Sequence, residues 1–263
     1  MSSGSTFALR HVTLVTRDLG RILPFYRDAL GLIARQPDAR TVTLHFSAGA
    51  PAIITFTADP AAVEPTARVA GLFHLAILVP DRPTLAAVLA RLIEHRQPIE
   101  GLSDHGVSEA IYLADPDGNG IEIYRDRPRA EWPMAGEQVA MVTRALDHRG
   151  LLSELPSPLP AAPLAQATFG HLHLSVSALE PARKFYLNEL GLAVRQDNYP
   201  GALFLAADGY HHHVAVNTWG NPAPRGPQRL TGLGGFTAAT SRVQVPRTLT
   251  DPDGNSVTLE PLS

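Results

Sequence analysis

Residues His11–Leu32 read HVTLVTRDLGRILPFYRDALGL, and residues His171–Leu192 read HLHLSVSALEPARKFYLNELGL. The two stretches share, in register, an opening histidine, a Phe-Tyr pair and a closing Leu-Gly-Leu. Each begins with residues that alternate as in a β-strand and continues with apolar residues at helical spacing. The glycine of Leu-Gly-Leu stands where a helix C-cap glycine belongs. The repetition predicts copies of one unit that opens with a strand and a helix.

Two further copies of this unit are recognisable. One opens at His74 (HLAILVPD) and ends in DPDGNGIEIY at Asp115–Tyr124, while another ends in DPDGNSVTL from Asp251 onwards. The tetrapeptide Asp-Pro-Asp-Gly is typical of a turn that leads into a strand. The last copy has no room for a full helix between its opening strand near Phe236 and this turn, so we interpret it as degenerate.

The spacing of these copies predicts the domain organisation. The proline-rich stretch Leu155–Pro163 (LPSPLPAAP) is typical of an extended linker and separates two pairs of units. The predicted segments are unit one at 1–66, unit two at 67–128, a linker at 129–167, unit three at 168–220 and a truncated unit four at 229–263.

Composition excludes several classes of function. The 263 residues are 44% hydrophobic and 18% charged, which is enough apolar surface to bury a core. The net charge of -3 gives no electrostatic reason to expect binding to nucleic acid or to a membrane surface. No apolar stretch approaches the length of a transmembrane helix, and the N-terminus has no basic segment followed by an apolar run. Because cysteine is also absent, we expect a cytoplasmic protein without disulfides.

Units of this kind, repeated in pairs, resemble the vicinal oxygen chelate superfamily, which includes glyoxalase I, fosfomycin resistance proteins and extradiol dioxygenases. The resemblance covers nearly the whole chain. It implies an α+β fold in which four βαβββ units, the fourth degenerate, pair into two half-open mixed β-barrels. In that superfamily a curved sheet cups a metal whose ligands come from the first and last strands. The fold hosts several reactions and does not by itself define the function.

A more specific pattern, HGVSEAIYLADPDGNGIE, runs from His105 to Glu122. It resembles the signature of type I extradiol ring-cleavage dioxygenases, which has a histidine, an aliphatic-Tyr pair, Asp-Pro-x-Gly and a glutamate. Only Ser103 departs from it, since the signature has a glycine or an aliphatic residue there. The segment Gly209–Trp219 (GYHHHVAVNTW) also looks like bacterial catechol 2,3-dioxygenases with four units. The resemblance implies insertion of O2 into a catechol beside the diol, which gives a muconic semialdehyde.

Glu122 and His74, from the last and first strands of unit two, are the first two predicted metal ligands. Without cysteine, imidazole and carboxylate groups are what remain for a transition-metal site. Two histidines and one carboxylate on one face are typical of non-heme iron oxygenases and leave open positions for substrate and dioxygen. Iron(II) is therefore the expected cofactor, and manganese(II) is compatible with the same ligands.

The third ligand is either His171 of unit three or His11 of unit one, because both occupy the opening-strand position. The choice depends on which units share a sheet. Unit four offers no ligand, since Gly235 replaces the histidine and Thr258 replaces the glutamate. The resemblance favours His171, because only unit three also carries a later histidine cluster, His211–His213.

The resemblance also assigns catalytic roles. The sequence leaves open which of His211–His213 faces the site, but alignment with the following Val-Ala-Val favours His212, then His213, as a group that handles a proton. Tyr112 and His105 match the tyrosine and histidine of the signature, which hydrogen-bond the substrate or oxygen intermediates. The remaining histidines predicted to face solvent are His45, His95 and His148.

Two other classes of function stay open. A glyoxalase-like lyase or a thiol-transferase would use the same scaffold and similar ligands, but it would not need the His105–Tyr112 pair. A metal-free small-molecule binding protein would keep the fold as a cup. For the dioxygenase, the expected partners are a small aromatic diol and O2. A second copy of the chain, in a homo-oligomer, would cover the sheet that the short fourth unit leaves exposed.

Overall fold

The computed structural model describes residues 5–262. Residues 1–4 and residue 263 lie outside the described residues, so the prediction about the N-terminal segment falls partly outside them. The helices are α1 (Leu19–Pro24, continued by a π-helical turn at Phe25–Ala29), α2 (Arg82–Glu94), α3 (His148–Ser153) and α4 (Leu179–Leu190), with a 3-10 turn at Arg129–Glu131. None of the helices within 5–262 is both long and apolar enough to cross a membrane.

Eighteen strands are found in the described residues. Those of units one and two are β1 (Phe7–Thr16), β2 (Ile33–Asp38), β3 (Thr41–His45), β4 (Ile54–Ala58), β5 (Gly71–Leu78), β6 (Gly101–Asp104), β7 (Ser108–Ala114) and β8 (Gly120–Asp126). The others are β9 (Met134–Ala135), β10 (Gln138–Val139), β11 (Arg144–Ala145), β12 (Thr168–Ser175), β13 (Ala193–Gln196), β14 (Ala202–Ala206), β15 (Val214–Asn217), β16 (Gly232–Thr240), β17 (Arg247–Thr250) and β18 (Ser256–Pro261).

The strands form two large mixed sheets and a small hairpin of β9 and β10. A seven-stranded sheet has the order β17-β18-β16-β1-β4-β3-β2, and a nine-stranded sheet has the order β11-β6-β7-β8-β5-β12-β15-β14-β13. The strands of units one and four share the first sheet, and those of units two and three share the second. The α+β fold predicted from the repeats is therefore confirmed. No helix separates β16 from β17, as expected for a degenerate fourth unit.

The register of the nine-stranded sheet brings the predicted ligand positions together. Strands β5 and β12 pair antiparallel, with His74 opposite His173 and His171 opposite Ala76. Strand β8 pairs parallel with the other side of β5, with Glu122 opposite Ala76. Because side chains two residues apart lie on one face of a strand, this register directs the opening histidines and Glu122 to one face.

The two sheets are tied together by the repeated Phe-Tyr and Asp-Pro-Asp-Gly motifs. The buried hydroxyl of Tyr26, in unit one, donates a 2.8 Å hydrogen bond to Asp115 in unit two. Tyr186, in unit three, donates an equivalent 2.8 Å bond to Asp251 in unit four. Burial raises the pKa of both tyrosines well above the ordinary value, so both remain donors. Each motif therefore anchors a helix of one sheet to the turn that leads into the last strand of the other.

The segment at 129–167 does more than connect the two halves. Strand β11 adds to the nine-stranded sheet beside β6, and Trp132, Val139 and Met141 are buried. The proline-rich stretch at 155–163 lies within a longer segment, 154–167, that has neither helix nor strand. Strand β17 lies at an edge of the seven-stranded sheet. The homo-oligomer that would cover this part of the molecule stays a prediction.

One predicted surface histidine is buried. His45 is 5% exposed, with Nδ1 2.9 Å from the carbonyl oxygen of Ala50 and Nε2 3.0 Å from Oγ1 of Thr43. The prediction of a solvent-facing side chain was wrong here, because local partners satisfy both ring nitrogens. His95 and His148 are exposed, as expected.

Candidate metal centre

Three buried side chains converge on one point of the nine-stranded sheet. Nε2 of His74, from β5, lies 3.0 Å from Oε2 of Glu122, which belongs to β8. Nε2 of His171, from β12, lies 3.0 Å from the same oxygen. One ligand atom from each residue lies within 4.8 Å of the other two. Side chains from two different units thus present two imidazole nitrogens and a carboxylate oxygen to a common centre.

The donor set fits a transition metal. His74 Nε2 is buried, and its contact with Glu122 does not have the geometry of a hydrogen bond, so it lacks a hydrogen-bond partner among the described residues. A buried polar atom without a partner is unfavourable unless something else satisfies it. Two imidazoles and one carboxylate on one face are a set that first-row transition metals bind with positions left open.

The ionisation of Glu122 and of His171 suits metal binding. Burial alone would raise the pKa of Glu122, but the neighbouring His171 and His74 outweigh it and hold the pKa well below its ordinary value. Burial lowers the pKa of His171 to about 4, although Glu122 opposes the shift. At neutral pH these groups are a carboxylate and a neutral imidazole, the forms in which they bind metals.

A glycine two residues before Glu122 makes room for His74. Gly120 lies opposite His74 where β5 and β8 pair. A Cβ atom on Gly120 would collide with the carbonyl oxygen of Phe73 and would lie 3.0 Å from Cβ of His74. A larger residue at 120 would therefore displace the backbone that carries one imidazole.

A cavity of about 260 Å³ is lined by two of the three side chains, His74 and Glu122. Most of its lining surface is apolar or aromatic. Among the described residues that line the cavity, Glu122 is the only acidic one, and none is a lysine or an arginine. Part of the cavity wall comes from the linker, at residues 141–143. The main aromatic and apolar lining residues are Phe73, Tyr199, Phe204, Trp219 and Met141.

His105 and Tyr112 form the pair that the signature suggests. Nδ1 of His105 lies 2.7 Å from the carbonyl oxygen of Val142, so this nitrogen carries a proton. Nε2 of His105 is then an acceptor for the hydroxyl of Tyr112, 2.8 Å away. Burial, with the charge of Glu122, raises the pKa of Tyr112 well above its ordinary value, and the hydroxyl stays protonated. Both side chains line the cavity.

The three consecutive histidines point to different surroundings. His212 lines the cavity, and its ring lies 4.0 Å from that of His171. His211 turns away to a hydrogen bond with Asp126, 2.8 Å long. His213 packs against Phe7 in a separate groove of about 890 Å³ that lies away from the metal candidates. Of the three, only His212 lines the cavity with His74 and Glu122.

Several cavity residues were not predicted from the sequence. His173 is buried and lines the cavity. Its Nε2 lies 3.0 Å from the side-chain amide nitrogen of Asn217. Its position two residues after His171 on the same strand was the available signal. Phe73, Trp219 and the linker residues gave no such signal, because their approach to the cavity depends on distant strand pairings.

His11 does not reach this centre. It lies on β1, in the other sheet, where Nε2 is 2.7 Å from Oγ1 of Thr55. The alternative set of His11, His74 and Glu122 would need β1 to pair with β5. Strand β5 pairs with β8 and β12 instead, so that alternative is excluded.

Paired βαβββ units with a histidine–glutamate centre on the shared sheet define a class of metal-binding proteins with a curled, half-open barrel. A model of the Glyoxalase/Bleomycin resistance protein/Dioxygenase superfamily matches residues 8–123. A protein from Bacillus subtilis (strain 168) named catechol-2,3-dioxygenase is 43% identical over 232 residues, which make up 86% of this chain and 80% of that protein. The chain belongs to the glyoxalase/bleomycin resistance/dioxygenase superfamily.

Solved structures show the same fold. Glyoxalase I from Zea mays superposes with a TM-score of 0.57 at 16% identity, over 98% of this chain and 93% of that one. The cppA protein from Streptococcus pneumoniae TIGR4 has a TM-score of 0.56 at 11% identity, over 97% and 98% of the two chains. At these identities the likeness concerns the fold alone.

Proposed function

We propose that this chain is an extradiol dioxygenase that inserts O2 into a small catechol beside its diol. His74, His171 and Glu122 would hold iron(II), and manganese(II) suits the same donors. The proposal is carried by the convergence of these three side chains, two of which, His74 and Glu122, line a cavity that the His105–Tyr112 pair also lines. The 43% identical protein named catechol-2,3-dioxygenase supports it.

When bound, the metal would supply the redox chemistry that lets a singlet catechol react with triplet dioxygen. The side chains of the cavity would handle the protons. Burial, with the nearby histidines, lowers the pKa of His212 well below its ordinary value, so its imidazole is neutral and able to accept a proton from a catechol hydroxyl. Accepting one proton there would prepare the same group to return it later.

Tyr112 and His105 would steady the oxygen atoms of the reacting diol. Because the hydroxyl of Tyr112 donates to Nε2 of His105, its oxygen presents lone pairs to a hydrogen-bond donor in the cavity. His105 is itself held by the carbonyl oxygen of Val142. A tyrosine fixed in this way would accept a hydrogen bond from a diol hydroxyl and hold it in one orientation.

The cavity favours a small, uncharged aromatic ring. Its volume of about 260 Å³ and its aromatic walls suit one ring and little more. No lysine or arginine lines it among the residues that the structure describes. A carboxylated catechol would leave its charge without a partner, so we expect neutral catechols to be preferred.

The decisive experiment is anaerobic loading of the full-length chain with iron(II), followed by addition of catechol and oxygen. We expect oxygen uptake in step with formation of a yellow ring-opened product. Glu122→Gln, which keeps the side-chain shape, and His74→Ala should each abolish turnover. His11→Ala is the matched control, because it removes a strand histidine from the other sheet and should leave turnover unchanged.

Retention of turnover by both site variants would refute the assigned centre. Absence of oxygen uptake by the loaded wild-type chain with several neutral catechols would refute the dioxygenase itself. Conversion of a thiol adduct without oxygen uptake would then favour the glyoxalase-like alternative.

A further inference from the structure

A hydrogen-bonded chain leads away from the cavity, behind His212. Nδ1 of His212 lies 2.7 Å from Nδ1 of His211. Nε2 of His211 lies 2.8 Å from Oδ1 of Asp126, at the end of β8. His211 is fully buried, and His212 is 6% exposed. The other oxygen of Asp126 accepts a 2.9 Å hydrogen bond from the hydroxyl of Tyr210.

The protons in this chain follow from the chemistry of its members. A carboxylate only accepts, so Nε2 of His211 must carry the proton that it shares with Asp126. When His211 is neutral, its Nδ1 has a lone pair and no proton. The facing Nδ1 of His212 must then be the donor, because two lone pairs 2.7 Å apart would repel each other. Nε2 of His212 is left without a proton.

The free nitrogen of His212 is the one available to the cavity. His212 lines the cavity, and within 5–262 its Nε2 has no hydrogen-bond partner, whereas Nδ1 is engaged by His211. We propose that His211 and Asp126 are positioning residues that hold His212 as the Nδ1-protonated tautomer, with Nε2 presented to the cavity as a base. The role of this base in the reaction rests on the proposed function, whereas the assignment of the tautomer does not depend on it.

This assignment explains polar contacts of His211 and Asp126 that packing alone would not require. A ring that only filled space at 211 would not need an acceptor aimed at His212 and a donor aimed at Asp126. An imidazole whose tautomer is selected by a second group is always in the form needed for proton transfer, and a wrong tautomer at such a position costs large factors in rate. Asp126 and Glu122 lie on the same strand, so one strand would supply both a metal ligand and the end of this chain.

The tautomer is measurable without turnover. The full-length chain, loaded with zinc(II) as a diamagnetic metal and labelled with 15N-histidine, is studied by NMR, and the signal of His212 is assigned by its loss in His212→Gln. We expect a protonated Nδ1 and an unprotonated Nε2. An Nε2-protonated or evenly mixed ring in the wild type would overturn the proposal, and this measurement needs no variant of the chain behind His212.

Variants separate positioning from packing. His211→Phe keeps a ring but removes the acceptor, so the two tautomers of His212 should become mixed. His211→Asn can return an acceptor oxygen close to the position of Nδ1 and should restore the Nδ1-protonated form. Tyr124→Phe is the matched control, because it removes a buried hydroxyl that bonds Tyr210 in the same cluster and leaves the chain to His212 intact.

Kinetics give an independent readout. In the iron(II)-loaded enzyme, His211→Phe should lower kcat about tenfold, since general acid–base groups contribute about 100-fold or more. KM should change little, because His211 does not line the cavity, and His211→Asn should recover most of the loss. A His211→Phe enzyme with wild-type kcat and a uniform tautomer would overturn the proposal. If the wild-type chain cleaves no catechol, the proposed function fails while the NMR result still decides the tautomer.

Discussion

The two sheets of this protein are built from the same unit in the same register, yet within residues 5–262 only one carries a candidate metal centre. In the nine-stranded sheet, Ala76 of the opening strand faces Glu122. In the seven-stranded sheet, Thr237 of the opening strand faces Thr258 in the same parallel arrangement. Strands β1 and β16 pair antiparallel, as β12 and β5 do, with His11 opposite Thr237. The backbone therefore provides two equivalent cups.

Side-chain chemistry makes the difference between them. The positions of His74 and Glu122 are filled in the seven-stranded sheet by Gly235 and Thr258, so His11 alone remains of the three donors. His11 is satisfied by the hydroxyl of Thr55 and needs no metal. The comparison shows that the fold provides three positions from which side chains could reach a common metal. The residue types at those positions then determine whether a metal can bind.

The strongest test removes the opening-strand histidine that both cups have. His171→Gly removes one of the three donors, and we expect metal affinity to fall by more than about 100-fold, since even residues behind a ligand contribute about 10- to 100-fold. Titration calorimetry or competition with a chelator measures the change. His11→Gly, at the equivalent position of the other sheet, should leave affinity unchanged; equal losses in both variants would end the distinction between the cups.

A second test moves a ligand without removing it. Gly120→Ala forces a Cβ against the carbonyl oxygen of Phe73, and the displaced strand should misplace His74. We expect about tenfold weaker metal binding and a loss of about 1–3 kcal/mol in the free energy of unfolding. Gly226→Ala is the control, because a Cβ there meets no atom within 4 Å. Wild-type affinity in Gly120→Ala would show that the close approach of β8 to β5 is not required.

The tyrosine anchors allow the two cups to be perturbed symmetrically. Tyr26→Phe and Tyr186→Phe each remove one buried hydrogen bond to an aspartate, and each should cost about 1–2 kcal/mol in denaturant unfolding. Only Asp115, the partner of Tyr26, belongs to the turn that leads into the strand of Glu122. We therefore expect Tyr26→Phe alone to weaken metal binding, by a few-fold, and an equal effect of Tyr186→Phe would contradict this.

The smallest expected effect is the gain of a second site. Gly235→His and Thr258→Glu supply the two missing donors beside His11. Ser256→Gly is included with them, because Ser256 lies opposite residue 235 and its Cβ would come 3.0 Å from a Cβ at that residue. The triple variant should bind a second zinc(II), at least about tenfold more weakly than the first, since no supporting residues were provided. If the triple variant still bound one zinc(II) per chain, the three donors alone would not be sufficient, and supporting residues would be required for metal binding.

Much of the fold and part of the candidate site were predictable because they depend on local pattern. The His-to-helix spacing placed His74 and His171 on opening strands, and the turn motif placed Glu122 on a closing strand. The pairing of His105 with Tyr112 followed from the signature. The cavity walls were not predictable, because Phe73, Trp219 and the linker residue Met141 meet only through contacts between segments far apart in the chain.

By itself, the sequence determined the repeated unit, the positions that can carry donors, and the absence of donors from unit four. Local hydrogen-bonding preferences and side-chain periodicity act over a few residues, so they can be inferred directly from the order of the amino acids. The tertiary structure decided between His11 and His171, selected His212 from three adjacent histidines and aligned His211 with Asp126. These choices follow from the pairing of β5 with β12, a contact across about a hundred residues whose free energy depends on how both whole surfaces pack.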